Sequence, residues 1–156
     1  MRCYFHGSVN GGDQLSNQPG TVSFAIPDLG IIFRSRWTGN LIECQYAALL
    51  SLLQFIENNK KIFKGKEIEI LSDASVVVYQ LTKDSFVLKS IEPYYRMVQT
   101  YKSKFSFLVR WIPEKENIAC NGLIETPPMK PSVEIKYDIN SHDNGINRPG
   151  GFLPLE

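Results

Sequence analysis

Few side chains in this 156-residue chain combine a reactive type with a telling position. Cys3, Cys44 and Cys120 are odd in number, and none stands in a Cys-x-x-Cys pair, so neither a zinc site nor a disulfide framework is signalled. Free thiols in a reducing compartment are the simpler account. Two carboxylates sit at helix starts. Glu43 follows Asn40 by three residues, the spacing of a capping box, and Asp73 stands between an apolar run and a helical one, where it can act as an N-cap. A carboxylate is also the ligand that a hard divalent cation needs. Taken alone, each acid reads as an ordinary helix-start residue.

The basic residues offer a second chemistry. Lys60, Lys61, Lys64 and Lys66 cluster as a nucleic-acid patch would. Lys66 begins a strand that Asp73 ends, however, which separates them by about 20 Å at ~3.3 Å per residue. The cluster is therefore read as a solvated loop at the other end of the sheet, with a docking surface as the alternative. Arg34, Arg36 and Trp37 fit contact with a nucleic-acid backbone or base, and fit a sheet rim equally well. Tyr94, Tyr95 and Tyr101, at helical spacing, read as core and boundary.

Composition narrows the classes. Hydrophobic residues make up 43% and charged residues 21%, as in a globular domain with a real core. Seventeen basic against sixteen acidic residues give a net charge of +1, which argues against a strongly electrostatic, sequence-blind nucleic-acid binder. No apolar run approaches the ~20 residues that span a bilayer. The segment Met1–Gly7 lacks the apolar core of a signal peptide. No membrane contact and an intracellular, by default cytoplasmic, location are expected.

The elements that must position these residues follow from periodicity. Arg2–Phe5, Thr21–Ile26 and Ile31–Trp37 read as strands, and their short connections favour an antiparallel meander. A helix starts at the Asn40 cap and runs to Asn58–Lys61, with an apolar face wide enough to demand packing against a sheet. Glu67–Leu71 reads as the fourth strand. Helices follow over about Ala74–Leu81, despite the poor helix formers Val76, Val77 and Val78, and over Lys89–Lys102. Phe105–Ile112 is the fifth strand, and Glu116–Asn117 opens a last short helix. The order βββ-α-β-α-α-β-α predicts an α/β domain: a five-stranded mixed sheet flanked by helices. It covers residues 1–125. Residues 126–156 hold five of the nine prolines and read as a Pro/Gly/Asn-rich extension, with Val133–Tyr137 as a candidate edge strand.

Four blocks, in this order and on these elements, resemble the type 1 ribonuclease H family over about residues 2–125. Phe5-His6-Gly7-Ser8 stands where the family has Asp-Gly-Ser at the end of strand one, and Asn17-Gln18-Pro19-Gly20 is similar to its Asn-Pro-Gly loop. Glu43-Cys44-Gln45-Tyr46-Ala47-Ala48-Leu49 looks like the start of its first helix. Leu71-Ser72-Asp73-Ala74 is similar to its junction after strand four. Pro113 to Leu123 resembles its last motif, Pro-Arg-x-x-Asn-x-x-Ala-Asp-x-Leu.

The resemblance implies two-metal phosphodiester hydrolysis, with a pair of ions about 4 Å apart clamping the attacking and leaving oxygens. The four family carboxylates map to His6, Glu43, Asp73 and Asn121. Two of the four depart from the pattern. Asn121 keeps an oxygen but loses the charge, and His6 offers a nitrogen lone pair where the family has the Asp that bridges both ions. Nitrogen ligands favour Zn²⁺, Ni²⁺ or Cu²⁺ over Mg²⁺. Asp13 in the following loop has no spacing that makes it a substitute. Glu43 and Asp73 remain as the carboxylates of a remnant catalytic site and as the only family-matched metal ligands. The implied function is a ribonuclease-H-like domain with lost or impaired nuclease activity, serving as a nucleic-acid-associated binding or assembly module. The alternative is an active ribonuclease H that uses Mg²⁺ or Mn²⁺ to cut the RNA strand of RNA–DNA hybrids. Expected partners are RNA or an RNA–DNA hybrid, or a protein reached through the C-terminal extension.

Overall fold

Cross-strand pairing decides the first third of the chain. In the computed structural model, which describes residues 1–83 and 87–121, strand β1 (Arg2–Val9) pairs antiparallel with β2 (Gln18–Ile26), and β2 with β3 (Ile31–Gly39). This is the meander anticipated from the short connections. Both β1 and β2 are longer than their composition suggests. β1 runs on through His6 to Val9 because its ladder with β2 is unbroken as far as Val9 opposite Gly20. Gln18 and Pro19, expected in a loop, are drawn into β2 by pairing with Gly39 and Thr38.

Strands β4 (Glu69–Ser72) and β5 (Leu108–Trp111) join in parallel on the other side of β1, giving the order β3-β2-β1-β4-β5. Both are shorter than their apolar runs. The flanking Ile68, Phe105 and Phe107 still pack on the core, so burial rather than pairing accounts for their hydrophobicity.

Helix α1 (Leu41–Asn58) opens on the capping box seen in the sequence. The Asn40 side chain accepts from Glu43 N and the Glu43 side chain from Asn40 N, each at 2.9 Å. A four-residue helix α2 (Lys60–Phe63) follows where only a helix stop is expected. The reason is apolar: Phe63 is 5% exposed and packs edge-on against Phe55, 6.4 Å between centroids. Helix α3 (Ser75–Lys83) forms in spite of its valines because Val77 and Val78 are buried while Val76 faces out. Helix α4 (Glu92–Lys104) starts later than anticipated, with Pro93 in its first turn. A single helical turn, α5 (Ile118–Asn121), ends the described chain. The extension at 126–156, its candidate strand Val133–Tyr137, and Gly122–Leu123 of the last motif lie outside the described residues. Among the described residues no helix is long and apolar enough to cross a membrane.

The two faces of the sheet are covered unequally. Cys3, Phe5, Val22, Phe24, Ile26 and Ile70 point to one face, into the main core beneath α1, α3 and α4. Tyr4, Ala25 and Leu71 point to the other, where Ala119 of α5 covers them. At Gly7 the strand passes so close to α1 that a Cβ would stand 2.6 Å from backbone atoms of Cys44 and Gln45. Only glycine lets the helix start lie over β1 at that point.

Candidate functional site

On the thinly covered face, cross-strand register lays out a polar row. His6 on β1 stands opposite Ser23 on β2, and Ser23 opposite Arg34 on β3. On the other side of β1 the chain leaving β4 supplies Asp73. His6 Nδ1 lies 3.0 Å from Asp73 Oδ1, with the two side chains only 15% and 13% exposed.

Asn117, wholly buried, locks this pair. Its Nδ2 donates to Asp73 Oδ1 at 2.6 Å and to the Phe5 carbonyl at 2.8 Å, while its Oδ1 accepts from Ala119 N at 3.0 Å and so caps α5. Ser72 Oγ donates to the same Phe5 carbonyl at 2.7 Å and accepts from Ala74 N at the entry to α3, leaving the Asp73 carboxylate to its side-chain partners. Ser23 Oγ donates to Ala119 O at 2.9 Å and to His6 O at 3.3 Å. Burial pushes the Asp73 carboxyl up, but the hydrogen bonds from His6 and Asn117 outweigh it, and the group is held below its ordinary value.

Glu43 bonds elsewhere. Its Oε1 accepts from Asn40 N, and its Oε2 accepts from the Tyr94 hydroxyl at 3.2 Å. Burial, and then the Glu43 charge, push the Tyr94 hydroxyl far above its usual value, so it remains a donor. Trp37 packs edge-on against the Tyr94 ring, 6.2 Å between centroids. Asn121 also turns away: its Nδ2 donates to the carbonyls of Glu114, Lys115 and Asn117 at 2.9–3.1 Å, tying the Glu114–Glu116 turn to α5. Asp13 sits in an exposed turn, where its Oδ1 accepts from Leu15 N.

Of the four positions singled out in the sequence, His6 and Asp73 therefore meet, while Glu43 and Asn121 are engaged with other partners. Asn117, which matches the Asn of the last motif, is read in the sequence only as a helix opener; that match and its cap-like position before Ile118 are the signals for its role. Among the described residues no three His, Cys, Asp or Glu side chains gather where they could hold one ion. The cysteines are free thiols. Burial raises Cys3 and Cys44 to about 12, and burial together with Glu114 and Asp73 raises Cys120 against the opposing pull of Arg34. None is poised as a thiolate nucleophile.

Comparison with solved structures gives this arrangement its context. LC11-RNase H1, isolated from compost by a metagenomic approach, matches with a TM-score of 0.64 at 15% identity, over 78% of this chain and 90% of that one. The fold is that of ribonuclease H. RNase H1 from the halophilic archaeon Halobacterium salinarum NRC-1 matches with a TM-score of 0.59 at 21% identity, over 78% of this chain and 92% of that one. LC11-RNase H1 in complex with an RNA/DNA hybrid gives 0.60 at 16% identity, over 78% and 91% of the two chains. No protein-family model matches the sequence, and no curated protein matches it. At these identities the likeness concerns the fold, and the ribonuclease-H-like α/β sheet expected from the four sequence blocks is present.

Proposed function

We propose that this ribonuclease-H-fold domain acts on nucleic acid as a binding or assembly module whose hydrolytic activity is lost or impaired. The observation that carries this reading is the state of Asp73, whose Oδ1 is held by His6 at 3.0 Å and Asn117 at 2.6 Å. A pair of Mg²⁺ ions needs several anionic oxygens converging on one point. Here one carboxylate oxygen is taken up by an imidazole and an amide, both Glu43 oxygens accept from Asn40 and Tyr94, and the Asn121 amide is turned to the backbone. These groups do not fit such a pair.

The nucleic-acid part rests on the fold and on the polar row. Arg34, Ser23 and His6 run side by side across three strands, with the Arg34 guanidinium exposed beside Cys120. A row ending in one exposed cation suits a phosphate backbone contacted without being cut. A structural neighbour, the foamy viral protease-reverse transcriptase in complex with dsDNA, matches with a TM-score of 0.54 at 12% identity, and the LC11 complex holds an RNA/DNA hybrid. Under this proposal residues 1–125 are the nucleic-acid module and 126–156 an extension to it.

The test is incubation with a labelled RNA–DNA hybrid in Mg²⁺ and then Mn²⁺, with binding followed in parallel over a salt series. Binding that weakens with salt and with Arg34→Ala, without cleavage in either metal, is the expected result. Metal-dependent cleavage abolished by Asp73→Asn would overturn the proposal in favour of an active hybrid ribonuclease. Absence of any salt-dependent affinity would leave a protein-interaction role.

A further inference from the structure

At the end of the sheet opposite Asp73, a cavity of about 370 Å³ opens between the end of α1, α2, the entry to β4 and the end of α4. We propose that it binds a small amphipathic anion, an acyl or aryl body ending in a single carboxylate or phosphate. Its floor is apolar, made by Ile56, Phe63, Ile68 and Phe105. Its rim is cationic, made by Lys60, Lys61, Lys64 and Lys66 from the α2 segment and Lys104 from α4.

The charges are what need explaining. Lys104 is already neutralised by Glu57 at 2.9 Å and lies over the Tyr101 ring. The side chains of the other four lysines form no ion pair or hydrogen bond among the described residues. Four unmatched like charges on seven consecutive residues repel one another, and an anion placed between them relieves that repulsion. Solvated lysines alone would call for nothing more. These ring an apolar depression, however, and the turn that carries them is fixed: Lys66 N donates to Phe63 O, and Gly65 adopts a left-handed φ of 75°.

The floor is built before any ligand arrives. Phe63 packs against Phe55, and Phe105 lies between Tyr101 and Phe107 with centroids at 6.1 and 5.6 Å. The volume falls in the ~300–1,000 Å³ range of small-molecule sites. An uncharged hydrocarbon would leave the lysines unmatched, and inorganic phosphate would leave the apolar floor wet. One ligand that carries both groups satisfies the whole lining. The site is independent of the polar row, because all of β4 separates Lys66 from Asp73.

Calorimetric titration tests this with decanoate and decyl phosphate below their micelle-forming concentrations, with decanol and inorganic phosphate as the two half-ligands. Saturable one-to-one binding of either amphiphile, about tenfold or more tighter than that of both half-ligands, is the expected result; which amphiphile is preferred assigns the head group. The triple variant Lys61→Ala/Lys64→Ala/Lys66→Ala should weaken binding about tenfold with an unchanged melting temperature. Ser106→Trp, at the exposed mouth, should block it. Failure of both amphiphiles to bind, or binding untouched by both variants, would overturn the proposal. Displacement of bound decanoate by an RNA–DNA hybrid would also overturn it, by assigning the lysines to nucleic acid. Binding of an acidic phenylalanine-containing peptide where decanoate fails would assign the cavity to a protein partner.

Discussion

The two faces of the sheet are held by different physics. Under α1 the core is apolar and deep: Phe5, Phe24, Phe55, Leu49, Leu52 and Trp37 are all at most 1% exposed. On the opposite face the described residues give a small cluster, Tyr4, Ala25, Leu71 and Ala119, with the half-buried Ile112 and Ile118 packed against it, and α5 is a single turn. One alanine and one half-buried isoleucine are a weak apolar anchor for a helix. The work there falls to directed hydrogen bonds, from Asn117 to Phe5 and Asp73 and from Ser23 to Ala119. Apolar packing tolerates small shifts in direction, whereas a hydrogen bond fixes an atom to within a few tenths of an ångström. The face that is poor in core is therefore the one that can hold His6 and Asp73 in a set orientation.

The comparison breaks if both faces respond alike to truncation. Phe55→Ala should have the largest effect, about 3–5 kcal/mol of global stability in urea unfolding, because it empties a fully buried ring from the deep core. Asn117→Ala should cost less, about 2 kcal/mol, and in a different way. It takes one donor from the Phe5 carbonyl, which keeps Ser72 Oγ, and one from the Asp73 carboxylate, which keeps His6, and it uncaps α5, so hydrogen exchange should lose protection at Ile118–Asn121 first while α1 amides keep theirs. Equal loss of protection across α1 and α5 in Asn117→Ala would show that the faces form one cooperative unit.

Legibility in the sequence follows the same division. The meander, the α1 capping box and the broad apolar face of α1 all rest on local periodicity or on an i, i+3 pair, and each is present. The short helix α2 escaped because Asn58–Lys61 has stop composition, and only the burial of Phe63 against Phe55 overrides it. At the candidate site, His6 and Asp73 could be paired through the family resemblance although 67 positions lie between them. The lock supplied by Asn117 is marked in the sequence only by its match to the Asn of the last motif, since its contacts to Phe5 and Asp73 span 112 and 44 positions and no local spacing encodes them. Asn121 and Glu43 show the converse. Motif position marks where a side chain starts, while its nearest unsatisfied partner decides where it ends, and those partners are the Glu114–Asn117 carbonyls for one and Asn40 with Tyr94 for the other.

The sharpest separation of the two faces uses pH. Asp73→Ala should cost about 1–2 kcal/mol near neutrality, since it removes the shared acceptor of His6 and Asn117. The folded Asp73 carboxyl lies below its ordinary value, so the stability it adds is fully present above the unfolded carboxyl's range, about pH 4, and is lost as pH falls through the folded value. The difference in urea midpoint between the unsubstituted protein and Asp73→Ala should hold from pH 7 to about pH 5 and shrink below about pH 4. The corresponding difference for Phe55→Ala should stay level, because no proton binds to an empty ring site. A gap for Asp73→Ala that persisted undiminished to the most acid pH at which the protein folds would mean that the charge on Asp73 contributes nothing. In that case the thin face would be held by the Asn117 and Ser23 bonds to backbone alone.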